Sequence, residues 1–152
     1  MAVKEENGRN ICKYKERKHD FSVNLNPLGM PMQVRRAIAE NTECYESYPD
    51  SKCGELASAI AECHHVSPEH IACGNGVEDI IYRIVCSLAP EKALVVAPAF
   101  SEYEEALETF GCGVEYFYLT DENDFLPERG IDAAVYAGNY DSVFICNPGN
   151  PT

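Results

Sequence analysis

The chain has 152 residues, 45% of them hydrophobic and 24% charged, which is enough apolar material for a domain with a sizeable core. Its formal net charge of −13 argues against nucleic acid and anionic membranes as partners, because both repel it. No apolar run approaches the roughly 18 residues of a membrane span, and Met1–Glu6 has no signal-peptide core, so a cytoplasmic protein is expected.

Residues 1–20 are polar and without period, and read as an arm. Asp20–Gly29 begins extended and turns at Pro27 and Gly29. A helix is predicted over 31–42, opened by Pro31 with Val34, Ala37 and Ile38 at helical spacing. Tyr45–Ser51 is a loop holding Tyr48-Pro49-Asp50. A helix over Gly54–His65 puts Leu56, Ile60 and Cys63 on one stripe. Ile71-Ala72-Cys73 reads as a short strand running into Gly74-Asn75-Gly76. The helix Val77–Leu88 carries Ile80, Ile81, Ile84, Val85 and Leu88.

Ala93–Ala97 is apolar throughout, as suits a strand covered on both faces of a parallel sheet. A helix over Ser101–Phe110 is closed by Gly111. Val114–Leu119 is a strand, 121–130 an acidic loop, Ile131–Tyr140 a helix weakened at Gly138 and Asn139, and Ser142–Cys146 the last strand. Strands alternating with helices predict an α/β fold: three layers, a mainly parallel sheet with helices on both faces. In such sheets ligands sit at the carboxyl ends of strands. Three segments meet that condition: 74–78, 98–103 and 147–151.

Eight cysteines occur without a C-x-x-C pair, and Cys86 and Cys146 lie inside apolar patterns. Reduced, mostly buried thiols are expected. Cys63, His64, His65 and His70 could supply metal ligands, but adjacent histidines on a helix point in different directions and no second Cys pair supports them, so no metal is expected.

The three strand-end segments carry the chemistry. Gly74-Asn75-Gly76-Val77-Glu78 joins a strand to a helix whose first amides have no partner within it and can cradle a phosphate; a plain glycine turn is the alternative. Phe100 and Tyr103 could face a flat heteroaromatic ring or pack into the core. Asn147-Pro148-Gly149-Asn150-Pro151-Thr152 repeats Asn-Pro after an apolar strand. An Asn amide there can donate to a phenolate oxygen and tune a pyridine ring, against the alternative of a simple turn.

Five stretches in order, DFSVNLNPLG (20–29), YPD (48–50), GNGVEDIIYRI (74–84), APAFSEYEEAL (97–107) and FICNPGNPT (144–152), resemble fold-type I pyridoxal 5'-phosphate (PLP) enzymes of aminotransferase class I/II. The resemblance leans to the threonine-phosphate decarboxylase branch of cobalamin biosynthesis, with histidinol-phosphate aminotransferase as the alternative. It implies the amino-terminal portion of an enzyme acting on a phosphorylated amino acid or amine, dimeric when complete. Residues 1–45 would be an arm and first helix belonging to a small domain. Residues 46–152 would be the first part of the PLP-binding large domain.

By the same resemblance, Gly76, Val77 and Glu78 offer amides to the PLP phosphate and Phe100 stacks on the pyridine beside Tyr103. Asn150 donates to the 3′ oxygen, with a cis bond as a candidate at Asn150-Pro151. Tyr48 reaches the partner subunit's PLP phosphate, and Asn24 lies toward the substrate. The Schiff-base lysine, the aspartate on the ring nitrogen and the substrate arginine are expected beyond Thr152. Lys92, the only lysine after Lys52, is placed at the amino end of a strand, so this stretch alone is expected to be inactive. A non-catalytic α/β module binding a phosphorylated ligand is the reading of another class.

Overall fold

The structure, a computed structural model, describes residues 25–127 and 130–149. The chain divides into two compact units between Ser51 and Lys52. In the first, Asn26 closes a turn: its side chain accepts from the Leu28 amide (3.0 Å) and its carbonyl from that of Gly29 (2.9 Å). Gly29 sits at φ 71°, where glycine carries no steric penalty. Helix α1 is Met32–Glu40, with Pro31 just outside it as N-cap, and a 3-10 turn follows at Thr42–Glu46. No residue from Leu25 to Ser51 is buried.

The second unit opens with α2 (Gly54–His64). The expected stripe of Leu56, Ile60 and Cys63 is displaced by one position: Ala57 and Ala61 are buried, while Leu56 and Cys63 are exposed. His65 ends the helix in the left-handed region, and the Val66 amide returns to the Ala61 carbonyl at 3.0 Å. Ile71–Cys73 is not a strand. The Cys73 carbonyl accepts from Arg83 and the Asn75 amide donates to Asp79, so side chains of the next helix take backbone groups that a ladder would use.

Helix α3 (Val77–Leu88) leads through 89–91 into β1 (Lys92–Ala97), then α4 (Glu102–Thr109), β2 (Gly113–Tyr118), α5 (Gly130–Gly138) and β3 (Ser142–Phe144). The strands are parallel in the order β2-β1-β3. The register aligns Val95 with Tyr116 and Phe144, and Val96 with Phe117. Ala93 through Ala97 are all buried, as their apolar run requires. Gly111 (φ 79°) stops α4: its amide bonds to Glu108 (3.0 Å) and that of Cys112 to Leu107 (2.9 Å). Helix α5 ends at Gly138, with Asn139 at φ 49°, earlier than the sequence pattern suggested. Strand β3 stops before Ile145 and Cys146.

Ile81 and Val85 of α3 and Ala106 and Leu107 of α4 pack with Ala93, Val95 and Cys112 on one face of the sheet. Parallel connections are right-handed as a rule, and the chain reverses direction across the sheet after β2, which would direct α5 to the other face. Gly130 lies over Phe117. Among the described cysteines, which are all free, only Cys112 is buried. Cys86 is exposed because it stands one position round α3 from Val85, a correction to the buried-thiol expectation.

A polar clasp fixes the amino end of the sheet. Asp141 accepts from the Glu91 and Lys92 amides (2.8 and 2.9 Å). Glu115 accepts from the Tyr140 hydroxyl (2.6 Å) and pairs with the Lys92 ammonium (2.9 Å). The Tyr140 hydrogen bond first, and Lys92 second, hold the Glu115 carboxyl below its ordinary range. A depressed carboxyl pKa gives stability that is present above the unfolded value of about 4.3 and lost as pH falls through the folded one. Thermal melts between about pH 5 and pH 3 should therefore fall less steeply for Glu115→Gln than for the parent chain. Equal slopes would remove Glu115 from the acid response.

Candidate functional site

A helix that feeds a strand through a three-residue turn runs antiparallel to it. The amino end of α3 therefore lies toward the carboxyl end of β1, where 98–101 leaves the sheet toward α4. Segment 145–149 leaves β3 at the same end, because the strands are parallel. All three loops belong to the second unit.

Gly76 is the N-cap of α3 at φ 87° and ψ 170°, a region for glycine alone, and a Cβ built on it meets nothing within 4 Å. The turn thus opens onto free space at the first amides of a twelve-residue helix. Val77 and Glu78 are exposed in that first turn. Gly74 meets the opposite condition: its Cβ would come within 2.6 Å of the Ile80 side chain and 2.8 Å of the Asp79 carboxylate. One glycine permits the backbone direction and the other permits close packing.

Phe100 is 38% exposed and meets the Tyr103 ring edge-on, with centroids 6.2 Å apart at 89°. Tyr103 in turn contacts Phe144 at 5.4 Å. Burial first, and a hydrogen bond to the Cys146 thiol second, push the Tyr103 hydroxyl pKa up. The Cys146 thiol also donates to the Pro148 carbonyl at 3.5 Å. Tyr103 therefore ties the start of α4 to the end of β3, and Phe100 is the more exposed ring of the two. Of the alternatives for this pair, core packing holds for Tyr103, while Phe100 stays 38% exposed.

The cis bonds among the described residues are Ala97-Pro98 and Asn147-Pro148. Asn150 and the Asn150-Pro151 bond lie outside the described residues, as does Asn24. Tyr48 belongs to the first unit and is fully exposed. The segment 74–78 does not follow a strand, so its place at the site comes from the helix after it. Lys92 begins β1, with its ammonium on Glu115 and on the Gly138 carbonyl (3.0 Å), above the Tyr140 ring and at the amino end of the sheet. Among the described residues no group of three or more His, Cys, Asp or Glu could hold a metal ion, and Cys63, His64, His65 and His70 are exposed.

Asp79 and Arg83 were not singled out by the sequence reading. They hold the turn before α3 and were legible as an oppositely charged i,i+4 pair. Glu102, 1% exposed at the start of α4, had no such signal. The open space at Gly76 before the first amides of α3 and the exposed ring of Phe100 are of the kinds that suit a phosphate and a flat ring.

A family model described as aminotransferase class I and II matches residues 16–152. Threonine-phosphate decarboxylase of Salmonella typhimurium is 38% identical over 88% of this chain and 36% of its own length. Histidinol-phosphate aminotransferase of Bacillus cytotoxicus is 32% identical over 85% of this chain and 35% of its own. The crystal structure of the histidinol-phosphate aminotransferase from Clostridium acetobutylicum superposes with a TM-score of 0.71 at 30% identity, covering 86% of this chain and 38% of that one. The chain thus spans little more than a third of these relatives. Among the described residues, no helix is long and apolar enough to cross a membrane.

Proposed function

The chain belongs to the aminotransferase class I and II family, and from that premise we propose that it is the amino-terminal part of a PLP-dependent enzyme acting on a phosphorylated amino acid. Threonine-phosphate decarboxylase is the first reading, because that relative is 38% identical. Histidinol-phosphate aminotransferase is the second, favoured by the likeness to the Clostridium structure. Bound PLP supplies a ring that withdraws electrons from the carbon beside the substrate amine.

The observation that supports the reading is the glycine-only backbone of Gly76, open to free space at the start of α3, in a unit whose β1 is followed by the 38% exposed ring of Phe100. Amides of Gly76, Val77 and Glu78 would receive the phosphate. Phe100 would cover one face of the pyridine, braced by Tyr103. Asn150 would donate to the 3′ oxygen, Asn24 would face the substrate, and Tyr48 would serve the partner subunit in a homodimer. Residues 1–45 would join a small domain and 46–152 would begin the large one, in a cytoplasmic enzyme. Lys92 is held at the other end of the sheet, which supports a covalent lysine contributed from outside this stretch.

The test uses the full-length protein. It should bind PLP, and Phe100→Ala should weaken that binding roughly threefold to tenfold, the scale of an aromatic stacking contact. Release of carbon dioxide from threonine phosphate supports the first reading, and amino transfer from histidinol phosphate the second. Binding without either reaction points to a phosphoryl-ligand module. Borohydride reduction of the 152-residue chain with PLP should leave no stoichiometric lysine adduct; an adduct on Lys92 would overturn its exclusion.

A further inference from the structure

We propose that Asp79 and Arg83 are positioning residues for the phosphate end of the ligand, an inference that rests on the PLP reading above. The Asp79 carboxylate accepts from the Asn75 amide at 2.8 Å through one oxygen and from Arg83 Nε at 2.9 Å through the other. Arg83 Nη1 also donates to the Cys73 carbonyl at 3.2 Å. Both backbone groups on either side of Gly74 are therefore held by side chains from α3. Gly74 itself is pressed against Asp79 and Ile80, so the turn has little freedom to move toward the helix.

An ordinary surface pair at i,i+4 spans one helical turn and touches nothing else. This one reaches ten residues back, to Cys73. The charges add a second effect. Asp79 stands in the first turn of α3, where its carboxylate suits the helix dipole but opposes a bound phosphate. Arg83 offsets that charge. It bonds directly to the 73–79 segment, and 63% of its side chain is exposed, so the pair is screened and its effect modest.

The experiment compares pyridoxine 5'-phosphate with pyridoxine, neither of which forms a Schiff base, by ligand fluorescence on the full-length protein freed of PLP. Arg83→Met should weaken the phosphorylated ligand roughly two- to fivefold, the range expected for an exposed ion pair, and leave pyridoxine unchanged. Asp79→Asn in the Arg83→Met background should recover part of that loss, the share due to charge. The amide oxygen still accepts from Asn75 and the opposing charge is gone. A purely structural role predicts equal weakening of both ligands and no recovery, and either result overturns the assignment. If the parent protein itself shows no preference for the phosphorylated ligand, the PLP reading fails and this inference falls with it. A preserved preference with an unaffected Arg83→Met variant removes only the inference.

Discussion

Replacing Gly76 with valine should cost the full-length protein roughly ten- to a hundredfold in PLP affinity, because the residue stands in a backbone region worth about 1–3 kcal/mol of strain to any other side chain. The position is informative because space is not at issue: nothing lies within 4 Å of the added Cβ. The effect has to come from φ 87° and ψ 170° alone. A valine that keeps these angles stores the strain, and one that relaxes them turns the first amides of α3 away. Gly74→Ala tests the other half of the same turn, since its methyl must displace Ile80 or Asp79. Equilibrium titration with PLP, alongside a melting curve to show that the fold persists, distinguishes the two. Unchanged affinity in Gly76→Val would end the argument that this turn receives the phosphate.

The elements from Val77 onward were legible because each obeys a strong local rule. The run Ala93–Ala97 is apolar on both faces, Val77–Leu88 repeats at helical spacing, and Gly111 stands where α4 needs a left-handed stop. Ile71-Ala72-Cys73 misled for a physical reason. Three apolar residues fit a strand equally well as a loop, and the partner of the Cys73 carbonyl is a side chain ten residues away. The choice between Leu56 and Ala57 as the buried stripe was likewise open, because hydrophobicity alone favours leucine and only the packing shows where small residues are needed.

The candidate site was legible in part. Gly76 and Phe100 carry visible local signals, a glycine before a helix and a ring after a buried strand. The link between Tyr103 and Cys146 joins residues 43 positions apart in sequence and leaves no periodic trace. Such contacts depend on the β1–β3 pairing, which no short window of sequence contains. The same pairing sets the neighbours of Tyr103, which are Phe144 and the Cys146 thiol on one side and Phe100 on the other.

Leu107→Ala should be among the most damaging single truncations in the second unit, at about 2–5 kcal/mol. Leu107 is fully buried between α4 and the sheet, among Ile81, Val85, Ala93 and Val95. A domain's whole stability is only about 5–15 kcal/mol, so this loss is a large share of it. For a unit of this size the melting temperature should drop by roughly 10–20 °C. Leu88 is the control. It has the same side chain on a neighbouring helix but is 64% exposed, and its truncation should stay within about 0.5 kcal/mol. The cavity would also lie behind Tyr103 and Phe144, which pack against this cluster and support Phe100. PLP affinity should therefore fall together with the melting temperature in Leu107→Ala and in neither respect in Leu88→Ala. If Leu107→Ala melted normally, the α4–sheet packing would not be the core of the unit, and the platform beneath Phe100 would need another support.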